Sequence, residues 1–448
     1  MSARCPMWCR CGSCISERFP LTLPLTRVPP SPRRGEGWGE GGSRPGISFA
    51  RREQTRYPGC MPGPSNDNLH KALLPQGLRD LLPPDAEAEA EAVGRLVAVL
   101  AGHGYERVKP PLMEFEENLL SGAGAAMAPE TFRLMDPISQ RMIGLRADMT
   151  TQIARIAGTR LANAPRPLRL CYAGEALRVR GSDMQPERQI GQVGAELIGS
   201  DAIAADIEAV TLAAEALTSL GIDGLSVDLT LPTLVPAVCR AAGISGAALD
   251  ELRRALDHKD AAAVKAAGGQ AATVLRKLLS AAGAAAPALK AMTALDLAPE
   301  AATERARLVA VAEQLTKAMP SLAITIDPVE NRGFEYHTGV SFSFFVRGIK
   351  TELGRGGRYR TDNGGAGSGE DATGFTLYTE AVLEAMTPHR PAPRLYVPAG
   401  SDVAAASRWR SQGYVTVAGL VPAQDAAAEA RRLGCSHVLE GEKAISLG

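Results

Sequence analysis

The stretch Ala176–Gly199, ALRVRGSDMQPERQIGQVGAELIG, decides how the chain is read. Two strand-like runs flank residues 181–187, which are rich in turn formers, so the segment predicts an antiparallel hairpin. The first run, LRLCYAGEALRVR, brings Arg178 close to the turn. On the return run Gln192, Gly194 and Glu196 alternate, so the amide and the carboxylate share a face with no side chain between them. That pattern describes a polar floor rather than a packed core.

Outward from the hairpin, the elements alternate in type. DAEAEAEAVGRLVAVLAGHG predicts a helix, with Val93, Leu96, Val97 and Leu100 at helical spacing and Gly102 and Gly104 ending it. YERVKPPLMEF reads as a strand leading into a loop, and FRLMDPISQRMIGLRADMT as two strands around an Asp-Pro turn. Within GLRADMT, Arg146, Asp148 and Thr150 fall on alternate positions and are expected on one strand face, with Thr150 or Thr151 capping the helix that follows. DAIAADIEAVTLAAEALTSLG reads as a helix capped by Asp201, and LSVDLTLP as a strand. Residues 234–318 are Ala-rich and predict an all-helical insertion. LAITIDP, VSFSFFVRG and LGRGGRYR return to strand, followed by a Gly-rich loop at 363–369 and a helix from about Gly374 to Ala385. Pro388, Pro391 and Pro393 mark a linker, after which the tail alternates strand and helix as a small α/β unit.

The 448 residues allow two or three domains. The formal charge is zero, but residues 1–60 carry ten Arg against four acids, leaving 39 Lys+Arg against 45 Asp+Glu in the rest. A body with excess acid is a poor partner for a polyanion, because neutralised phosphates supply most nucleic-acid affinity. No apolar run reaches the roughly 18 residues of a membrane span. Of the eight cysteines, Cys60, Cys171, Cys239 and Cys435 are scattered, as reduced thiols of a cytoplasmic protein would be. Cys5, Cys9, Cys11 and Cys14 lie close enough for zinc, but no second ligand pair follows and the flanks cannot build a core, so no metal is expected. Residues 1–65, rich in Pro, Gly and Arg, read as a disordered extension that resembles translated upstream DNA, with Met61 as the expected start.

The chemistry-bearing residues are Arg178, Asp148 and Thr150, Gln192 and Glu196, and NRGFEYHTG with Arg332, Glu335, Tyr336 and His337. Carboxylates, an amide, hydroxyls and an arginine suit a small zwitterion, the carboxylates taking its ammonium and Arg332 its carboxylate. Each also has a plainer alternative. Asp148 and Thr150 serve equally as helix caps, Arg178 as a solvated strand end and His337 as a structural histidine, while Gly354, Gly356 and Gly357 suit a hairpin. The order of the segments separates these alternatives.

That order resembles the histidyl-tRNA synthetases. LLPQGLRDLLP is similar to their fold-entry motif, LRADMTTQIAR to their histidine-contacting strand, and the 168–199 hairpin to class II motif 2. NRGFEYHTG is similar to their histidine-specific segment, and GRGGRY with GFTLYTEAVL to the Gly-rich strand and motif 3. The resemblance implies an α+β fold, a class II aminoacyl-tRNA synthetase-like antiparallel sheet flanked by helices. It implies a core over 66–387 with the insertion at about 234–318, and a C-terminal domain over 392–448 as a remnant of the anticodon-binding domain. It also implies a histidine pocket of Asp148, Thr150, Gln192, Glu196, Arg332, Tyr336 and His337, with Arg178 left as a residual anion or nucleotide contact.

The departures from the synthetases lie on the nucleotide side. Arg180 stands where they have an acid that reads adenine, Ala381 where an arginine stacks on it, Tyr378 in place of a glycine, and Arg360 in place of an aspartate. A lost charged hydrogen bond costs about 1.5–3 kcal/mol and a lost cation–π contact up to ~2. Together they remove on the order of two to three decades of ATP affinity. A synthetase scaffold with a histidine pocket and no catalytic residues resembles the regulatory subunits of ATP phosphoribosyltransferase. That implies a short-form catalytic subunit as partner, a class II-type homodimer within a hetero-oligomer, L-histidine as feedback effector, no cofactor, no metal, and no expected role for tRNA. The alternative that stays open is an active histidyl-tRNA synthetase with an atypical ATP site; an amino-acid- or RNA-binding module is a third.

Overall fold

A computed structural model describes residues 73–181, 185–331, 336–361, 369–387 and 392–448. The segment read as a disordered extension, its cysteine cluster and Met61 lie outside the described residues. Nine of the strands make one sheet in the order β1-β5-β6-β12-β11-β10-β7-β9-β8. These are β1 (Glu106–Arg107), β5 (Leu168–Leu177), β6 (Gln189–Ile198), β7 (Leu225–Thr230), β8 (Gly283–Ala284), β9 (Ala323–Asp327), β10 (His337–Val346), β11 (Gly354–Arg360) and β12 (Asp371–Tyr378). From β5 to β7 every neighbouring pair runs antiparallel, whereas β1 joins β5 and β9 joins β7 in parallel. The expected antiparallel sheet is thus mixed at its margins.

Because side chains alternate across a strand, register sorts the sheet into two faces. Val193, Ala195, Phe375, Leu377, Phe342, Phe344, Val227 and Leu229 form the apolar face. Against it pack α1 (Asp85–Gly102) and α4 (Ile203–Ser219), through Leu96, Leu100, Val210, Ala213 and Leu217. The opposite face carries Tyr172, Gly194, Glu196, Thr376 and Tyr359, roofed in part by α3 (Thr150–Gly158), whose Ile153 and Ala157 pack near Leu170 and Ile198. Before it, β2 (Met113–Phe115), α2 (Glu116–Leu119), β3 (Arg133–Met135) and β4 (Met142–Leu145) lead in, the strands forming a small sheet β2-β4-β3.

The insertion region is helical as its composition predicts: α5 (Leu234–Ala241), α6 (Ala247–Asp257), α7 (Ala261–Ala266), α8 (Gly269–Ser280), α9 (Ala285–Thr293) and α10 (Pro299–Ala318). Only the two residues of β8 interrupt it. After α11 (Thr379–Ala385), the tail supplies β13 (Arg394–Val397), α12 (Val403–Ser411), β14 (Val415–Ala418), α13 (Ala426–Arg432), β15 (His437–Glu440) and β16 (Lys443–Ser446). They form a sheet β14-β13-β15-β16, parallel at β13 and closed by the β15–β16 hairpin.

Three local expectations are corrected. The helix expected from Gly374 begins only at Thr379, because Phe375 and Leu377 alternate with Thr376 and Tyr378 and continue the sheet. Asp201 does not cap α4; Ala202 holds that position, and the Asp201 carbonyl instead accepts from Arg307 at 2.6 Å. Neither Thr150 nor Thr151 caps α3, whose entry is held from elsewhere, as described below.

One ion pair fixes α4 to the apolar face. Arg358 of β11 and Asp206 in α4, each 2% exposed, lie 2.8 Å apart. The guanidinium also donates to the Ser200 and Ala202 carbonyls at 2.9 and 3.0 Å. Removing one member leaves the other charged and dry, which costs about 3–5 kcal/mol. Urea denaturation of Asp206→Ala is therefore expected to show a loss of that order, against less than about 1 kcal/mol for cutting the exposed Arg408–Glu442 pair.

Candidate functional site

The polar face has a floor built from register. One row across β5, β6, β12, β11 and β10 holds Tyr172, Gly194, Thr376, Arg355 and Ser343. The adjacent row holds Leu170, Glu196, Gly374, Gly357 and Ser341. Glycine is required where two chains meet over the floor. A Cβ on Gly194 would sit 2.4 Å from the Tyr172 hydroxyl, and one on Gly374 would sit 1.9 Å from Glu196 Oε2.

Glu196, 1% exposed, is caged by hydroxyls. Tyr359 donates to Oε2 at 3.0 Å and Tyr172 to Oε1 at 3.3 Å. The Tyr172 hydroxyl also meets Thr376 Oγ1 at 2.8 Å and Thr150 Oγ1 at 3.4 Å. Burial pushes the Glu196 carboxyl up to about 8, against the pull of the Tyr359 hydrogen bond, and nearby Asp148 raises it further. A carboxylate so enclosed gains most from a ligand that supplies a positive N–H donor.

Gln192 works beside it as a brace. Its Nε2 donates to Asp148 Oδ2 at 2.8 Å, and its Oε1 accepts from the Met149 N–H at 3.1 Å. Asp148 Oδ1 accepts the Thr150 N–H at 2.8 Å. The tertiary contact from β6 thus takes over the entry of α3, which leaves Thr150 Oγ1 turned to Tyr172 instead of capping. The expectation that Arg146, Asp148 and Thr150 share a strand face is corrected as well. β4 stops at Leu145, and Arg146 passes over Gly174 to donate to the Glu175 and Pro110 carbonyls at 2.6 and 3.1 Å. It pins backbone while Asp148 meets Gln192 and Thr150 meets Tyr172.

Tyr336 borders the same space. Its ring lies 4.1 Å from that of His337 and 6.3 Å, edge-on, from that of Tyr359. Burial pushes its phenol well up, and Asp148 and Glu196 add to the effect. His337, 6% exposed, pairs across from Tyr359 at the start of β10. Arg332 and Glu335 lie outside the described residues.

Beyond Gln192, Tyr378 ends β12 opposite that residue and is 5% exposed. Arg178 pairs by an isolated bridge with Thr131, and its Nε donates to the Ala147 carbonyl at 3.5 Å. Ala381 lies within the main apolar cluster at 4% exposure, where a guanidinium would have to shed its water.

Thus the sequence-predicted Asp148, Thr150, Gln192, Glu196, Tyr336 and His337 come together, and Arg178 stands near them by way of Tyr378. Tyr172, Tyr359, Thr376 and Arg355 were not among the predicted residues. The signal for Tyr172 was present: it and Gly194 are equidistant in sequence from Asp183, so a symmetric hairpin puts the phenol over the glycine.

The fold and pocket define a class II synthetase-like protein, and the family model for histidyl-tRNA synthetase matches residues 77–382. A Bacillus halodurans C structure described as an ATP phosphoribosyltransferase regulatory subunit/histidyl-tRNA synthetase superposes with a TM-score of 0.70 at 25% identity, covering 80% of this chain and 96% of that one. The ATP phosphoribosyltransferase regulatory subunit of Paramagnetospirillum magneticum is 58% identical over 83% of this chain and 97% of its own. That of Rhodospirillum centenum is 57% identical over 83% and 95%. The chain belongs to the family of ATP phosphoribosyltransferase regulatory subunits. No helix of the described residues is long and apolar enough to cross a membrane.

The high carboxyl of Glu196 has a signed consequence for stability. The folded chain keeps a proton up to about 8 that the unfolded chain releases near 4.5. The stabilisation is complete below 4.5 and is lost as pH rises through about 8. Thermal unfolding followed across this window is expected to show the decline in the wild type and a flatter profile in Glu196→Gln.

Proposed function

We propose that this chain is the non-catalytic regulatory subunit of an ATP phosphoribosyltransferase, a glycosyltransferase complex that opens histidine biosynthesis, and that it carries the feedback response to L-histidine. Its partner is the short-form catalytic subunit, and two copies of this chain pair in the class II manner within the hetero-oligomer. The complex is cytoplasmic. The core spans 66–387, with the helical insertion at about 234–318 and the C-terminal domain over 392–448.

The observation that carries this reading is the asymmetry of the polar face. Its amino-acid side holds two carboxylates braced by Gln192 and caged by hydroxyls, while Tyr378 is buried on its nucleotide side. Asp148 and Glu196, with Thr150 and Gln192, take the ammonium of L-histidine, Tyr336 borders its imidazole, and Arg332 takes its carboxylate. His337 lines the imidazole end, and Arg178 stands at the residual anion position. Feedback then follows from linkage: the effector favours the inhibited assembly by its difference in affinity, and about 1–3 kcal/mol of coupling suffices.

Reconstitution tests the reading. Mixing the chain with the short-form catalytic subunit is expected to raise phosphoribosyltransferase activity and make it sensitive to L-histidine. The chain alone is expected to show no histidine-dependent ATP–pyrophosphate exchange; robust exchange would return it to the synthetases. Glu196→Gln or Arg332→Ala is expected to raise the inhibitory histidine concentration about 10- to 100-fold, the equivalent of one charged hydrogen bond. The complex should still elute intact in size-exclusion chromatography, and its collapse in both variants would count against the pocket.

A further inference from the structure

Arg355 is the charged residue on the polar floor that no role above absorbs. It sits in the middle of β11, directly across from Thr376 on one side and Ser343 on the other. Two strand spacings away, roughly 10 Å, lies Gly194 under the Tyr172 phenol, between Gln192 and Glu196 on β6. Its residue neighbours along the strand, Gly354 and Gly356, are buried, yet its own side chain is 34% exposed. A cation that is accessible from the centre of a sheet faces a cleft.

Its direction is set by a carboxylate three residues earlier in the chain. Glu352 Oε1 accepts from Arg355 Nε at 2.6 Å and also from Nη2, while Ser343 fixes the other oxygen of Glu352 at 2.9 Å. Tyr336 and Tyr378 both lie close enough to feel the guanidinium charge. The polar face therefore has acidic groups, Asp148 and Glu196, at one end and the Arg355–Glu352 pair at the other, with Tyr172, Gly194 and Thr376 between them.

We propose that Arg355, oriented by Glu352, is a specificity-determining residue that reads the carboxylate of the zwitterionic effector and so separates amino acids from the corresponding amines. This rests on the histidine pocket proposed above and adds a second cation to Arg332. Planar guanidinium suits a carboxylate because two parallel N–H donors match two oxygens.

Calorimetric titration of the full chain with L-histidine and with histamine, which lacks the carboxylate, tests it. The wild type is expected to prefer L-histidine by about 10- to 100-fold. Arg355→Gln should lose most of that preference by weakening L-histidine while leaving histamine within about twofold. Arg355→Lys, which keeps the charge but not the fork, should fall between the two and serves if the Gln variant does not fold. Equal weakening of both ligands, or an unchanged preference, overturns the assignment of Arg355 and leaves the pocket standing. Failure of the wild type to bind either ligand overturns the pocket and Arg355 with it.

Discussion

A carboxylate almost without access to water governs the polar face of this sheet. Glu196 needs donors on both oxygens, and the fold supplies them from β5 and β11, on either side of its own strand. Those phenols reach it only because Gly194 and Gly374 leave the space that side chains would fill. The alternation of large and absent side chains is therefore a geometric requirement of one buried acid. The antiparallel block from β5 to β7 provides the register that keeps the rows aligned, and α1 and α4 pack behind it.

The same face divides by chemistry. Toward α3 it is rich in acceptors and hydroxyls, each engaged by a neighbour, with Gln192 holding Asp148 in place. Toward the end of β12 it is occupied by the protein's own aromatic ring at Tyr378. Under the proposed function this is the distinction between sensing a metabolite and activating it: binding needs complementarity to the ground state, whereas catalysis needs groups aimed at a transition state.

Much of this was legible in the sequence, for reasons that differ by residue. The hairpin around 181–187 could be read because period-two alternation and a cluster of turn formers agree, and Gln192 and Glu196 followed from it directly. Asp148 and Thr150 were found, but for a reason the fold does not use. Their alternate spacing suggested a strand face, whereas the chain has already left β4, and the two converge because Gln192 holds the start of α3. Gly374–Tyr378 illustrates the opposite difficulty. Its continuation into a helix former, TEAVL, extends the apparent helix backward, and only pairing with β6 and β11 identifies it as strand. Tyr359, Thr376 and Arg355 were hidden because their relation to Glu196 depends on which strands become neighbours, and the order β6-β12-β11 departs from chain order. Arg358 was equally hidden, since nothing local announces that its partner lies in α4.

Arg358 and Tyr359 are consecutive residues of β11, and they point to opposite sides of the sheet. One is half of the dry ion pair that seats α4, and the other is a donor to Glu196. A single peptide unit therefore joins the scaffold's anchorage to the buried acid of the polar floor. Insertion or deletion of one residue here would exchange the two side chains, placing a phenol where a charge is needed and a charge among the hydroxyls. This strand can drift in evolution only by changes that preserve both partners at once, so its phase is a stricter inheritance than its composition.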